Sequence, residues 1–307
     1  GDVVLIQKKQ TITADRIEYQ KQKEKDGISY TSEGNVIIKD SLRIATCGKA
    51  RYDRKKDITK LSIVPEIRDN SNRMLSGEEI SLTYDKEQLT KLYIPLKASA
   101  ATAIKGYRKT DNDSLNRGEL QFTDSMKGSE IIGFFNNGAI DSLRIHGMAQ
   151  TLYHIFDDSV YQGKNNASGD TIIMNFSNNE LEKLNILDGA EGVYTPDSMA
   201  TDMNSPIKYS ANHIKYLLKD EESNFLGDAI IEQDKTKLSS GFIKIYWQSN
   251  MLQALPFFDN DTANKPIPPV IKEEGRDPMT GNEMTYNLKT KKGKIKKGKT
   301  KADDGHY

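Results

Sequence analysis

One apolar spacing, Gly-x-x-Ile-x-x-x-(Phe/Tyr)-x-x-x-x-(Leu/Ile)-x-x-Leu-x-Ile-x-x-x-Ala, recurs along the chain and narrows the folds open to it. Gly77, Ile80, Tyr84, Leu89, Leu92, Ile94 and Ala98 write it first; Gly128, Ile131, Phe135, Ile140, Leu143, Ile145 and Ala149 write it again; Gly169, Ile172, Phe176, Leu181, Leu184, Ile186 and Ala190 write it a third time. A period of roughly 40 to 50 residues is that of an array, in which each unit buries its apolar face by stacking on its neighbours. The question of function becomes what that shared face covers.

Each unit reads as a β-hairpin. Ile80, Leu82 and Tyr84 are two apart, as are Ile172, Met174 and Phe176, so each trio points to one side of an extended strand. Asp85-Lys86-Glu87, Asn136-Asn137-Gly138 and Ser177-Asn178-Asn179 separate the halves with turn chemistry; Asn137-Gly138 is the strongest, since both residues accept the positive φ of a tight primed turn. Alternation then resumes through Leu92, Ile94, Leu96 and Ala98, through Leu143, Ile145, Gly147 and Ala149, and through Leu184 and Ile186. No stretch sustains the three-and-four spacing of a helix.

Weaker copies extend the pattern, with Tyr52-Asp53 leading to Ile58, Leu61, Ile63 and Ile67, and Tyr286 to Thr290 leading through Gly293 to Ile295. A longer echo pairs Ala14-Asp15-Arg16-Ile17-Glu18-Tyr19 and Gly34-Asn35-Val36-Ile37-Ile38 with Ala211-Asn212-His213-Ile214-Lys215-Tyr216 and Gly227-Asp228-Ala229-Ile230-Ile231. The second series reads as a fresh start. It places a boundary near Ser205-Pro206, giving β units over 1–205 and 206–307, the sheets being free to run across it. Pro266, Pro268 and Pro269 mark an interrupting loop over 259–278, because proline removes ladder donors and fixes φ.

Only 36% of the 307 residues are apolar. That is lean for a compact two-domain globule and suits a thin β structure in which every second residue faces water. Charge balances at 44 basic and 44 acidic residues, giving no global ground for nucleic-acid binding. The lysine run from Lys289 to Lys301 reads as a solvated terminal hairpin, where lysine discourages edge pairing. The lone Cys47 excludes an internal disulfide and a zinc–cysteine cluster. No stretch approaches the roughly 18 apolar residues of a membrane-spanning helix. Gly1-Asp2 opens directly on Val3-Val4-Leu5-Ile6, so for an exported protein the expectation is a leader already removed or one that the sequence as given omits.

Chemistry is sparse. His146, His154, His213 and His306 have no triad or ligand spacing, and Asp259-Asn260-Asp261 lacks the rest of a calcium loop. No phosphate-cradling glycine loop is present, and the expectation is a protein that is no enzyme, with no cofactor and no metal. Two outcomes remain for a ladder of hairpins apolar on one side. Its sheets close on each other as a filled sandwich, giving a structural or adhesive β-repeat protein, or they leave an apolar slot. Ala98, Ala149, Ala190, Gly133 and Gly147 argue for room inside, or merely for close sheet packing.

Ile12-Thr13-Ala14-Asp15-Arg16-Ile17-Glu18-Tyr19, then Glu33-Gly34-Asn35-Val36-Ile37-Ile38 and Ala50-Arg51-Tyr52-Asp53, resemble the opening of OstA-like domains, the β-jellyroll modules of lipopolysaccharide transport. Met284 to Ile295 looks like another repeat of that kind. The resemblance runs over residues 10 to 60 and 205 to 307 and is looser between. It implies an all-β, OstA-like β-jellyroll of stacked antiparallel hairpins around an elongated slot that holds the acyl chains of lipopolysaccharide. It implies a periplasmic location, as a complete bridge or as the soluble part of a larger outer-membrane assembly protein. The slot would be lined by Val36, Ile38, Ile80, Leu82, Ile94, Ile131, Ile145, Ile172 and Ile186. Val3, Val4, Leu5 and Ile6 at one end and Ile295 at the other would be edges that pair with further modules, a form of β-augmentation.

Overall fold

The computed structural model describes residues 3–7, 10–21, 28–108, 119–137, 139–178, 180–199, 203, 205–257 and 266–300. Gly138, Asn179, Asp259-Asn260-Asp261, His306 and Lys301, singled out in the sequence, lie outside them. The fold is all-β, and the strand pairs are antiparallel. The chain divides into two compact units, one formed by 1–104, 123–149 and 173–180, the other by 105–122, 150–172 and 181–307.

The first strands are β1 (Val3–Gln7), β2 (Gln10–Ala14), β3 (Arg16–Lys21), β4 (Ile28–Lys39), β5 (Arg43–Asp53), β6 (Ile58–Ser62), β7 (Glu66–Asp69), β8 (Arg73–Ser76), β9 (Glu79–Asp85), β10 (Gln88–Ile94) and β11 (Ala98–Gly106). Then come β12 (Leu120–Gly128), β13 (Glu130–Asn136), β14 (Ala139–Asp157), β15 (Val160–Ser177), β16 (Glu180–Pro196), β17 (Ile207–Leu217), β18 (Glu222–Gln233) and β19 (Thr236–Tyr246). The last are β20 (Met251–Leu255), β21 (Val270–Glu273), β22 (Met279–Thr280), β23 (Glu283–Asn287), β24 (Lys292–Lys296) and β25 (Lys299–Thr300).

In the first unit the long hairpin β4–β5 serves two sheets at once. Before the bend, β4 pairs with β3; after it, Ile37 to Lys39 pair with β2. On β5, Lys49 to Asp53 pair with β6 and Arg43 to Thr46 with β7. The switch occurs at a bulge between Glu33 and Val36, where Gly34 and Asn35 take φ of 74° and 44°. An extra residue bends a strand and raises its twist. Asp15 holds the bend: its N–H donates to the Gly34 carbonyl at 2.9 Å, its carboxylate accepts from Asn35 Nδ2 at 3.0 Å, and its side chain occupies the space a Gly34 Cβ would need. One sheet runs β3, β4, β5, β6, β9, β10, β13, β14, and the other β1, β2, β4, β5, β7, β8, β11. This is the layout of a β-jellyroll.

The second unit repeats it. β18 carries a bulge between Leu226 and Ala229, with Gly227 and Asp228 at φ of 72° and 47°, and Asn212 fills the space beside Gly227. Beyond the bulge β19 splits as β5 does, toward β20 on one side and β21 on the other. β20, β23 and β24 continue the first branch, β22 and β25 the second. Thus the Ala-Asp and Gly-Asn echo of the sequence marks the two places where a strand changes sheet.

β21 falls inside the stretch expected to be a loop. Val270 and Ile271 pair with Ser239 and Leu238 directly after Pro268-Pro269, a position before the first ladder residue that proline tolerates.

Candidate functional site

Cross-strand register sets the interior. In the first unit Leu61 lies opposite Ile80, and Ile94 opposite Ile131, which is opposite Ile145. The adjacent row brings Tyr30 to Tyr52, Tyr52 to Thr59, Thr59 to Leu82, Leu82 to Leu92, and Leu92 through Gly133 to Leu143. Val36 and Ile38 come from the other sheet, behind the bend. In the second unit a single row runs Ile186, Ile214, Phe225, Ile243, Ala254, Met284, Ile295. The fold therefore places Ile80, Ile94, Ile131 and Ile145 on one inner face and Leu82 one row away. Ile172 and Ile186 belong to the interior of the second unit. Ile214, Phe225 and Ile243, which the sequence reading did not single out, are as buried as any of these, and the echo from Ala211 onward was the signal for them.

That interior is tightly closed over most of its length. Ile80, Ile94, Ile131, Ile145, Ile172 and Ile186 are 0% exposed, so no water-sized space lies beside them. The small residues contribute to closure. Ala98, Ala149 and Ala190 are buried, a Cβ on Gly133 would stand 3.3–3.5 Å from Phe135, Leu92 and Leu143, and Gly147 is a bend residue at φ 73° against Ser129. Of the two meanings these residues carried in the sequence, close sheet packing is the one the geometry shows. Ile63 departs from the pattern as well: it has positive φ, is 62% exposed, and covers Gly48 from outside.

The closure relaxes at one place. A cavity of about 40 Å³ is lined by Gln10, Ile38, Asp40, Arg43, Ala45 and Ile67 on one sheet and Tyr30, Thr59, Leu61, Leu82 and Tyr84 on the other. Its walls are apolar, and its polar groups gather around the Arg43–Asp40 pair, whose Nε and Oδ2 are 3.8 Å apart. Asp40 also accepts from the Leu42 and Arg43 amides at 2.8 and 2.7 Å, fixing that turn. Burial raises the Tyr30 phenol far above its ordinary range, with smaller contributions from Tyr84 and Tyr52, and burial also raises Tyr84. Burial likewise pushes the Cys47 thiol up to about 11, which marks it as a packing residue. The lining thus supplies apolar contact, hydroxyls and one ion pair.

His146, His154 and His213 stand apart, and no group of three metal-ligating side chains gathers among the described residues. His213 meets Asn185 at 3.2 Å, and its pKa is lowered by burial and then by Lys183 and Lys215. The candidate edges are open. On β1, Val3, Val4 and Ile6 are exposed and Leu5 half-buried; β1 pairs with β2 alone among the described strands, as β24, with half-buried Ile295, pairs with β23 alone.

Residues 1–88 match the family described as "LptA/(LptD N-terminal domain) LPS transport protein". Among solved structures the chain is similar to LptH, the LptA homologous periplasmic component of the conserved lipopolysaccharide transport device from Pseudomonas aeruginosa. The identity is 11%, the match covers 49% of this chain and 94% of that one, and the TM-score is 0.39. Comparison with the curated proteins found no match.

Proposed function

We propose that this chain, which over residues 1–88 carries the pattern of the LptA/LptD N-terminal family, is a periplasmic carrier that shields the acyl chains of lipopolysaccharide between its sheets and hands them toward the outer membrane. One observation carries the reading: the cavity between the two sheets lies wholly within that segment, from Gln10 to Tyr84. Ile38 and Leu82, both 9% exposed, line it, and Val36, Ile80, Ile94, Ile131 and Ile145 continue the same apolar interior behind it. The chemistry is reversible burial, about 0.8 kcal/mol for each methylene taken out of water. In this reading the acyl chains enter at the cavity and part side chains that otherwise touch. The open edges of β1, with Val3, Val4, Leu5 and Ile6, and of β24, with Ile295, accept strands of neighbouring modules.

The complete closure of the isoleucine rows favours a second reading, a structural β-repeat protein with a permanently filled core. Photocrosslinking separates the two. A photoreactive residue at Ile80, Ile131, Ile172 or Leu82 is expected to yield a lipopolysaccharide adduct, first at Leu82. Absence of adduct at every one of these positions in folded protein would leave the structural reading standing.

A further inference from the structure

A second concavity lies on the solvent side of the second unit, away from the apolar interior. Its volume is about 620 Å³, within the roughly 300–1,000 Å³ of ligand pockets. Cross-strand register builds its bed. Glu191, Ser210 and Ile230 lie opposite one another in one row, and Val193, Lys208, Glu232 and Lys237 in the next. Bulges at Leu187/Ala190, Ser210/His213 and Leu226/Ala229 adjoin across β16, β17 and β18 and coil the sheet there. Under the trough, Gly192 lies against the Tyr209 phenol, which leaves no room for a side chain on that inner side and is anchored by a 2.6 Å hydrogen bond to Asn165 Oδ1.

The lining selects a ligand by what it contains and by what it cancels. Gln150, Asn166, Glu191, Lys208, Glu232 and Lys237 ring the trough with donors and acceptors. The two lysines balance the two glutamates, and Lys237 is paired to Glu232 at 2.9 Å, so no net field draws an anion or a cation. Val193 on β16 and Ile230 on β18 each leave a small half-buried apolar spot within the polar rows. An uncharged molecule with many hydroxyls and a weakly apolar ring face meets these conditions, since a hydroxyl replaces a water equally well by donating to Glu191 or Glu232, by accepting from Lys208 or Lys237, or by doing either at Gln150 and Asn166. We propose that this trough is a binding site for a neutral oligosaccharide. The inference rests on the transport reading, in which it holds the sugar portion of the carried glycolipid outside the apolar interior.

The test uses the full chain and two probes, the core oligosaccharide released from lipopolysaccharide by mild acid, dephosphorylated and with its carboxyl groups reduced to alcohols, and the same carboxyl-reduced oligosaccharide with its phosphates retained. Saturable amide shifts at Gly192, Ser210 and their neighbours are expected with both. Glu191→Ala with Lys208→Ala should weaken binding at least tenfold, and Ser210→Trp, which fills the trough from its floor, should abolish it while the circular dichroism stays that of the parent. No saturable shift, shifts elsewhere on the chain, wild-type affinity in Ser210→Trp, or binding of the phosphorylated probe alone would each overturn the site. Crosslinking of lipid at Leu82 in the Ser210→Trp variant reports on the acyl interior independently, so loss of sugar binding and failure of the carrier reading are read apart.

Discussion

At the scale of single residues, the glycine that opens each repeat is explained by the isoleucine that closes it. A Cβ on Gly128 would lie 2.6 Å from Ile145 Cγ2, and one on Gly169 2.6 Å from Ile186 Cγ2. Gly77 faces Ile94 and Gly281 faces Ile295 in the same way, which makes the C-terminal hairpin a further copy of the repeat in its packing as well as its spacing. The conformation at Gly128 is ordinary, so the constraint is space. Gly128→Ala should therefore cost about 1–3 kcal/mol through overpacking, measured by urea unfolding. In an Ile145→Ala background the cost should shrink but not vanish, because the His146 carbonyl stays 2.9 Å from the new methyl. An additive double-mutant cycle would show that Gly128 is held by something else.

At the scale of elements, the hairpins were legible because alternation and turn chemistry agree. The β9–β10 loop is the instructive one. Lys86 and Glu87 both take positive φ, 47° and 71°, the primed geometry that a two-residue hairpin demands, although neither side chain favours it. Asp85 and Gln88 pair directly across the loop, so register forces the turn on unsuitable residues. Replacing the pair with Asn-Gly should relieve strain of about 1–2 kcal/mol per residue in part and raise stability by ~1 kcal/mol, seen as a higher urea midpoint at unchanged slope. An unchanged midpoint would mean the turn carries no strain. Alternation encodes the change of sheet inside one strand only faintly, because small residues stand where it slips. On β4 the buried positions keep even numbers from Tyr30 through Val36 to Ile38, but on β5 they pass from odd, Ala45 and Cys47, to even, Ala50 and Tyr52, so the bend shows as a one-residue slip on the paired strand, beside Gly34-Asn35 and its distant partner Asp15. Small residues mislead for a related reason. Ala98, Ala149 and Gly133 signal closeness between layers, and a sequence does not say whether that closeness leaves a gap or removes one.

At the scale of the whole molecule, the proposed carrier function has to start from an apolar interior whose side chains touch one another. Side chains at 0% exposure gain dispersion contacts that an incoming chain must replace, and the cavity of about 40 Å³ admits little beyond a chain terminus before the rows part. Binding therefore sets a roughly fixed opening cost against a gain that grows by about 0.8 kcal/mol, near fourfold in affinity, with every methylene. Short amphiphiles should bind too weakly to detect, and beyond a threshold length each added methylene should tighten binding by close to that factor. Calorimetric titration with single-headgroup amphiphiles of increasing chain length measures both the threshold and the slope. Ala45→Leu, which narrows the cavity between Ile38 and Leu82, should lengthen the threshold while leaving the slope unchanged, because it raises the opening cost without altering the burial of each methylene. An affinity independent of chain length would place the contact on an outer surface and remove the closed interior from the mechanism.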